Sequence, residues 1–164
     1  MDIKFAPWRL SYILSPKESG GGCVFCRAFT EDPSLENLVV YRDETTAVML
    51  NRYPYNNGHV LIVPRQHLNS LTGLDDAARD SLMRVIAFSE ALLRKVYNPM
   101  GFNVGLNLGE ASGAGITEHL HFHVVPRWNG DTNFITLFGE LRVIPEDLST
   151  VFERLREAYP KRIE

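Results

Sequence analysis

The segment Glu118–Trp128 reads EHLHFHVVPRW and carries three of the five histidines in the 164-residue chain, at positions 119, 121 and 123. Leu120, Phe122 and Val124 fill the places between them. A period of two is the signature of a strand, whose alternate side chains point to opposite faces. All three imidazoles therefore share one surface, about 7 Å apart per step. The apolar residues supply the opposite, core-facing side. The fold has to bury one face of this strand and keep the other for polar work.

The rest of the chain supplies partners for that strand. LVVYRDETTAVML predicts two short strands, Leu38–Arg42 and Ala47–Leu50, around polar turn residues. HVLIVPR, His59 to Arg65, predicts a third, entered through NNG. Between Leu74 and Tyr97 the period changes: Leu82, Val85, Ile86, Leu92, Leu93 and Val96 form one helical stripe. Asp75 and Asp76 suit its first turn, Arg94 and Lys95 its last, and Asn98-Pro99 stops it. GFNVGLNLG alternates again. Leu148, Val151, Phe152, Leu155 and Tyr159 predict a terminal helix after Pro145. SPKESGGG, residues 15–22, reads as a flexible loop. The expected fold class is α+β, with a largely antiparallel sheet in one domain spanning residues 1–164.

Composition narrows the function. Lys and Arg number 17 against 20 Asp and Glu, so the chain is mildly acidic. That argues against non-specific nucleic-acid binding, which needs a positive footprint. No apolar run spans a bilayer and the N-terminus lacks a signal-peptide core, so the expected compartment is the cytoplasm, without a membrane partner. There the two cysteines are expected as thiols or metal ligands.

Three chemistries compete for the histidines: hydrogen-bonded surface residues, one metal held by all three, or nucleophilic catalysis in which one imidazole attacks while its neighbours orient it. The flanks favour the last. Upstream, NLGEASGAGITEH places Gly109, Gly113 and Gly115 in one loop, where backbone amides can approach a phosphate closely. Downstream, Arg127 suits a phosphate tail and Trp128 a stacked base. A neutral imidazole attacks phosphorus near pH 7 only if its other ring nitrogen carries the proton and donates it.

HLHFHVV, His119 to Val125, resembles the motif of the histidine-triad (HIT) family: His, apolar, His, apolar, His, apolar, apolar. LNRYPYNNGHVLIVPRQH is similar to the family's strand-turn-strand. APWRLSYI, GFNVGLNLGEASG and HVVPRWNGDTNF resemble one branch, the bacterial diadenosine tetraphosphate phosphorylase-like proteins. The resemblance runs roughly from Ala6 to Phe134. It implies a five-stranded antiparallel sheet with two helices, paired as a two-fold homodimer with a continuous sheet. It also implies attack on the α-phosphorus of a nucleotide through a nucleotidyl-histidine. By position, His121 is then the nucleophile and His123 the residue that contacts the phosphate and helps the leaving group. Asn51 falls where relatives bind ribose, and Asn107 where they hold a phosphate or orient the loop. Phe25, with Val48 and Leu50, falls where they line the base pocket. His59 is expected to be structural.

Cys23-x-x-Cys26 is a zinc signal of moderate specificity, with no thioredoxin-like pattern around it. Relatives with this pair complete a zinc site with two histidines, which by position are His67 and His119. Two thiolates and two imidazoles close a tetrahedral site, suited to structure rather than catalysis. No organic cofactor is implied.

The chain departs from the family's hydrolases just before the triad. Where many carry Gln followed by Ser or Thr, Gly115 and Ile116 stand here. The expected second nucleophile is therefore inorganic phosphate, converting diadenosine tetraphosphate to ATP and ADP. Hydrolysis of dinucleoside polyphosphates, turnover of nucleoside phosphoramidates or adenylyl sulfate, and a nucleotide-binding interaction protein are the alternatives.

Overall fold

The computed structural model describes residues 22–131 and 144–163. APWRLSYI, nearly all of SPKESGGG, and residues 132–134 lie outside them. The elements are α1 (Val24–Arg27), β1 (Val39–Arg42), β2 (Thr46–Leu50), β3 (Val60–Pro64), α2 (Asp76–Tyr97), β4 (Gly101–Leu106), β5 (Phe122–Arg127) and α3 (Leu148–Ala158). The five strands form one antiparallel sheet in the order β1-β2-β3-β5-β4. The expected sheet and both long helices are present. The short turn α1, which no periodicity marks in so few residues, joins them.

Local chemistry sets the helix ends. Asp75 is the N-cap of α2, its carboxylate accepting from the Ala78 N–H at 2.7 Å. Asn98 ends the helix in the left-handed region, φ 46°, a conformation that asparagine tolerates better than most residues. Asp147 caps α3 in the same way, through Thr150 N–H.

The sheet is apolar on both faces, and strand parity sorts the two. Val48, Leu50, Val60, Ile62 and Val124 join Leu82, Val85, Ile86 and Leu93 of α2 and Leu155 of α3 in the main core. Ala47, Met49, Leu61 and Val63 face the other way, under Phe25 and Ala28. The terminal helix closes the main core. Tyr159 donates its hydroxyl to Ser89 at 2.9 Å, Ser89 donates to the Val85 carbonyl, and Arg156 reaches the Val40 carbonyl. Just before α3, Glu146 accepts from Asn57 Nδ2 at 2.8 Å and from Arg154, fastening the chain to the β2–β3 connection.

β5 begins at Phe122 rather than at the first histidine. Continuing the register Ile62↔Phe122 would set Leu120 opposite Pro64, and proline has no N–H to donate to a ladder. Leu120 N–H instead donates to the Leu68 carbonyl at 2.6 Å. Alternation survives without the ladder: Leu120 lies in the main core, and Phe25 on the opposite face touches the rings of His119 and His121.

Candidate active site and metal centre

The three histidines are gathered on one face as their spacing implies, but hydrogen bonds leave each ring in a different state: a lone pair on Nδ1 of His119, a lone pair on Nε2 of His121 and an N–H on Nε2 of His123. His121 Nδ1 lies 2.9 Å from the His119 carbonyl. A carbonyl only accepts, so Nδ1 carries the proton and Nε2 holds the lone pair. Burial lowers the His121 pKa below the usual 6.5, and the carbonyl bond opposes that in part. The ring is thus neutral at pH 7, as a nucleophile needs to be.

His123 has the opposite tautomer, fixed by a relay from His59, an imidazole whose sequence context suggests only a structural part. The Tyr55 backbone N–H donates to His59 Nδ1 at 3.0 Å. His59 must then be protonated on Nε2, which lies 2.9 Å from His123 Nδ1. His123 accepts there, so its proton sits on Nε2, a buried atom with no protein partner. Burial, and then the neighbouring His121, push the His123 pKa down to about 4. The result is a neutral N–H donor with ring centre 5.1 Å from that of His121. Tyr55 stacks on His123 with rings 8° from parallel. The parity of β3 was the available signal for His59: Leu61 pairs with His123, and His59 lies two residues before it on the same face.

Gly58 holds this relay in place. Its φ is +71°, and a Cβ there would lie 2.9 Å from Tyr97 Cε2. Glycine is required both for the left-handed turn and for the close approach of the helix. The loop then returns to β2, where Asn51 N–H donates to the His59 carbonyl.

The remaining candidate residues divide. Phe25 is buried, its ring centre 4.8 Å from that of His121. Leu50 and Val48 are not brought to it. They point into the helix-side core, and Met49, one step away on β2, packs on the Phe25 side instead. Asn51 follows on the Met49 side by parity and accepts from Tyr53 N–H. Asn107 lines a groove of about 350 Å³ together with His123. Gly113 ends the short turn Glu110–Ser112 at φ 82°, with its amide committed to the Glu110 carbonyl. Gly115 lies on the same loop, and Ile116 packs into the Phe25 cluster. Trp128 follows β5, half-buried, its backbone N–H bonded to Asp131.

Cys23, Cys26, His67 and His119 bring one ligand atom each within 4.8 Å of one another. The pattern of donors fits a metal. His119 Nε2 donates to the Pro64 carbonyl at 2.8 Å, which leaves the Nδ1 lone pair directed at Cys23 Sγ, 3.3 Å away. His67 Nδ1 lies 3.2 Å from Cys26 Sγ. A backbone carbonyl on the far nitrogen is the usual way a ligating histidine is oriented. Burial, and then Cys23, raise the Cys26 thiol, a cost that a bound cation relieves by favouring the thiolate.

A family model, the HIT domain, matches residues 33–130. The chain belongs to the HIT family. Over 148 residues this HIT chain is 40% identical to a Mycobacterium tuberculosis protein named AP-4-A phosphorylase, covering 87% of this chain and 76% of that one. It is 26% identical to the asymmetrical bis(5'-nucleosyl)-tetraphosphatase of Schizosaccharomyces pombe, covering 74% and 66%. A crystal structure of a Zn-bound histidine triad family protein from Mycobacterium smegmatis superposes with a TM-score of 0.66 at 29% identity, covering 84% of this chain and 92% of that one. The chain is thus a HIT-family enzyme with a Cys/His cluster fit to hold a metal. Among the described residues no helix is long and apolar enough to cross a membrane.

Proposed function

We propose that the protein transfers a nucleotidyl group from dinucleoside polyphosphates through an intermediate on His121. The observation that carries this reading is the bond from His121 Nδ1–H to the His119 carbonyl, which frees Nε2 beside the N–H donor of His123. In the first step His121 Nε2 bonds to the α-phosphorus, and the bond from that phosphorus to the bridging oxygen breaks. His123 Nε2–H is placed to donate to the oxygens that gain charge. In the second step an oxygen of the incoming nucleophile bonds to phosphorus and the P–N bond breaks, returning neutral His121. Phe25, Asn51 and Asn107 bind the substrate, with Gly113 and Gly115 shaping the phosphate loop and Trp128 at its margin.

Phosphorolysis to ATP and ADP is the preferred second step. Support comes from the Mycobacterium tuberculosis relative's name and from Ile116, which turns into an apolar cluster and offers no polar side chain. The alternative is hydrolysis, supported by the more distant tetraphosphatase relative. Product analysis of diadenosine tetraphosphate turnover decides between them: ADP and ATP that depend on added phosphate are expected, whereas AMP and ATP formed at a rate indifferent to phosphate reject phosphorolysis. A nucleotide-binding protein without turnover predicts neither.

Zinc is the proposed metal at Cys23, Cys26, His67 and His119, because two sulfur and two nitrogen ligands suit its tetrahedral preference. It would tie α1 and the end of β3 to the histidine segment and take no part in the chemistry. Thiol ligands suit a reducing compartment, in keeping with the expected cytoplasm. The proposed homodimer joins two sheets through β4, the terminal strand, beside which Val104, Met100 and Leu108 are exposed. Light scattering that gives a monomer mass removes that part of the reading.

A further inference from the structure

On the histidine face, β4 and β5 form a floor whose paired residues run Gly105–His123, Asn103–Val125 and Gly101–Arg127. Above it lies the groove of about 350 Å³, lined also by Tyr55 and Asn107. That volume falls in the range of small-molecule sites. Its length from His123 to Arg127 is about 13 Å at normal strand rise. A site for the adenylyl group alone does not account for it, because the groove leads away from Phe25 and His121, past His123.

We infer that this groove seats the leaving half of the substrate, with its phosphates at the His123 end and its nucleoside at the Arg127 end. The inference rests on the proposed nucleotidyl transfer and adds a second binding region to it. The charge distribution sets the direction. At the His123 end the groups are an unpartnered N–H, the Asn107 amide and a floor of glycine, which suit anionic oxygens. At the far end Arg127 is neutralised by Asp131, with Nε on Oδ2 at 2.6 Å and Nη2 on Oδ1 at 2.8 Å. Such a pair is no trap for phosphate. It does fix the orientation of the planar guanidinium, and Nη1, donating to the Asn103 side-chain amide oxygen Oδ1, fixes the third nitrogen. A planar guanidinium with part of its surface exposed is a platform for a planar base. Asn103, its oxygen engaged by Arg127, keeps its NH₂ group as a donor midway along.

Gly105 adds a requirement for space. A Cβ at this position meets no atom within 4 Å, so packing does not demand glycine. Strand interiors ordinarily lose stability by having it. A side chain there would rise into the groove beside His123.

The test compares two adenylyl donors, diadenosine tetraphosphate and adenosine 5'-phosphoramidate, which lacks a second nucleoside. The readout is the ratio of their kcat/KM values. Arg127→Ala should lower that ratio about tenfold, the effect of losing one stacked base. Arg127→Lys, which keeps the charge without the plane, should not restore it. Gly105→Val should also lower the ratio, and it leaves the Arg127–Asp131 pair intact should the first variant fold poorly. A ratio within twofold of the parent's in folded Arg127→Ala or Gly105→Val protein overturns the subsite while the nucleotidyl-transfer reading stands. A parent protein that consumes neither donor overturns both.

Discussion

His119 and His121 are two residues apart, share one face, and are both buried, yet they are prepared for opposite chemistry. His119 donates from Nε2 to Pro64 and offers Nδ1 to the thiols. His121 donates from Nδ1 to the His119 carbonyl and keeps Nε2 free. Burial lowers the pKa of both, so burial does not separate them. The position of one backbone carbonyl relative to each ring does. A motif of identical side chains thereby divides into a ring suited to ligate a metal, a ring with a free basic nitrogen and, through His59, an N–H donor at His123.

The largest expected effect breaks the nucleophile. His121→Ala should lower turnover by at least about 10³-fold while nucleotide binding persists. Intact-mass analysis during turnover should show a nucleotidyl adduct on the parent and none on the variant. An active His121→Ala protein would remove the distinction between the two rings altogether.

Breaking the ligand end should act on stability more than on chemistry. Cys26→Ser should lower bound zinc from near one per chain to well below it. Losing one ligand of such a centre is expected to cost about 3 kcal/mol, the high end for a single substitution, a fall of about 10 °C in the thermal midpoint for a domain of this size. Metal analysis beside calorimetry checks both. A variant with full zinc, or a zinc-free parent of unchanged midpoint, would place His119 outside any metal centre.

A smaller effect sharpens the third role. His59→Gln should reduce kcat by between about 10- and 100-fold, because His123 loses the partner that fixes its tautomer. KM should move less than kcat, since the shortest contact of the His59 ring is to His123. A variant that changes KM alone would show that His59 shapes binding instead of orienting a donor.

The smallest effect is on pH dependence. The unfolded chain takes a proton at His123 near pH 6.5, whereas the native site resists until about 4. The stability contributed by keeping this ring neutral is present above pH 6.5 and is lost as pH falls toward 4. Urea midpoints across that interval should decline, and less steeply in a His123→Asn variant. Equal slopes would mean that the native ring titrates like an exposed one.

Much of this was legible in the chain because parity and spacing are local. The β5 alternation, the α2 stripe and the CxxC pair each lie within one segment, and the structure assembles them as read. What escaped depended on register between segments. The resemblance sets Leu50 and Val48 beside Phe25 in a base pocket, but Phe25 arrives from a separate turn and meets Met49, while Leu50 and Val48 lie in the helix-side core. His59 gave no sign of function while its pairing across β3 to β5 was unknown. The early end of the β5 ladder at Phe122 follows from Pro64, a residue on another strand.

The contact between Gly58 and Tyr97 bears on how far the scaffold can drift. Tyr97 is the last residue of α2, and its ring abuts the glycine that precedes His59. Adding or deleting one residue in α2 would swing that terminal ring by about 100° and withdraw the prop. The count of residues in this helix therefore sets the support of the His59–His123 pair, and sequence changes within α2 are freer than changes to its length.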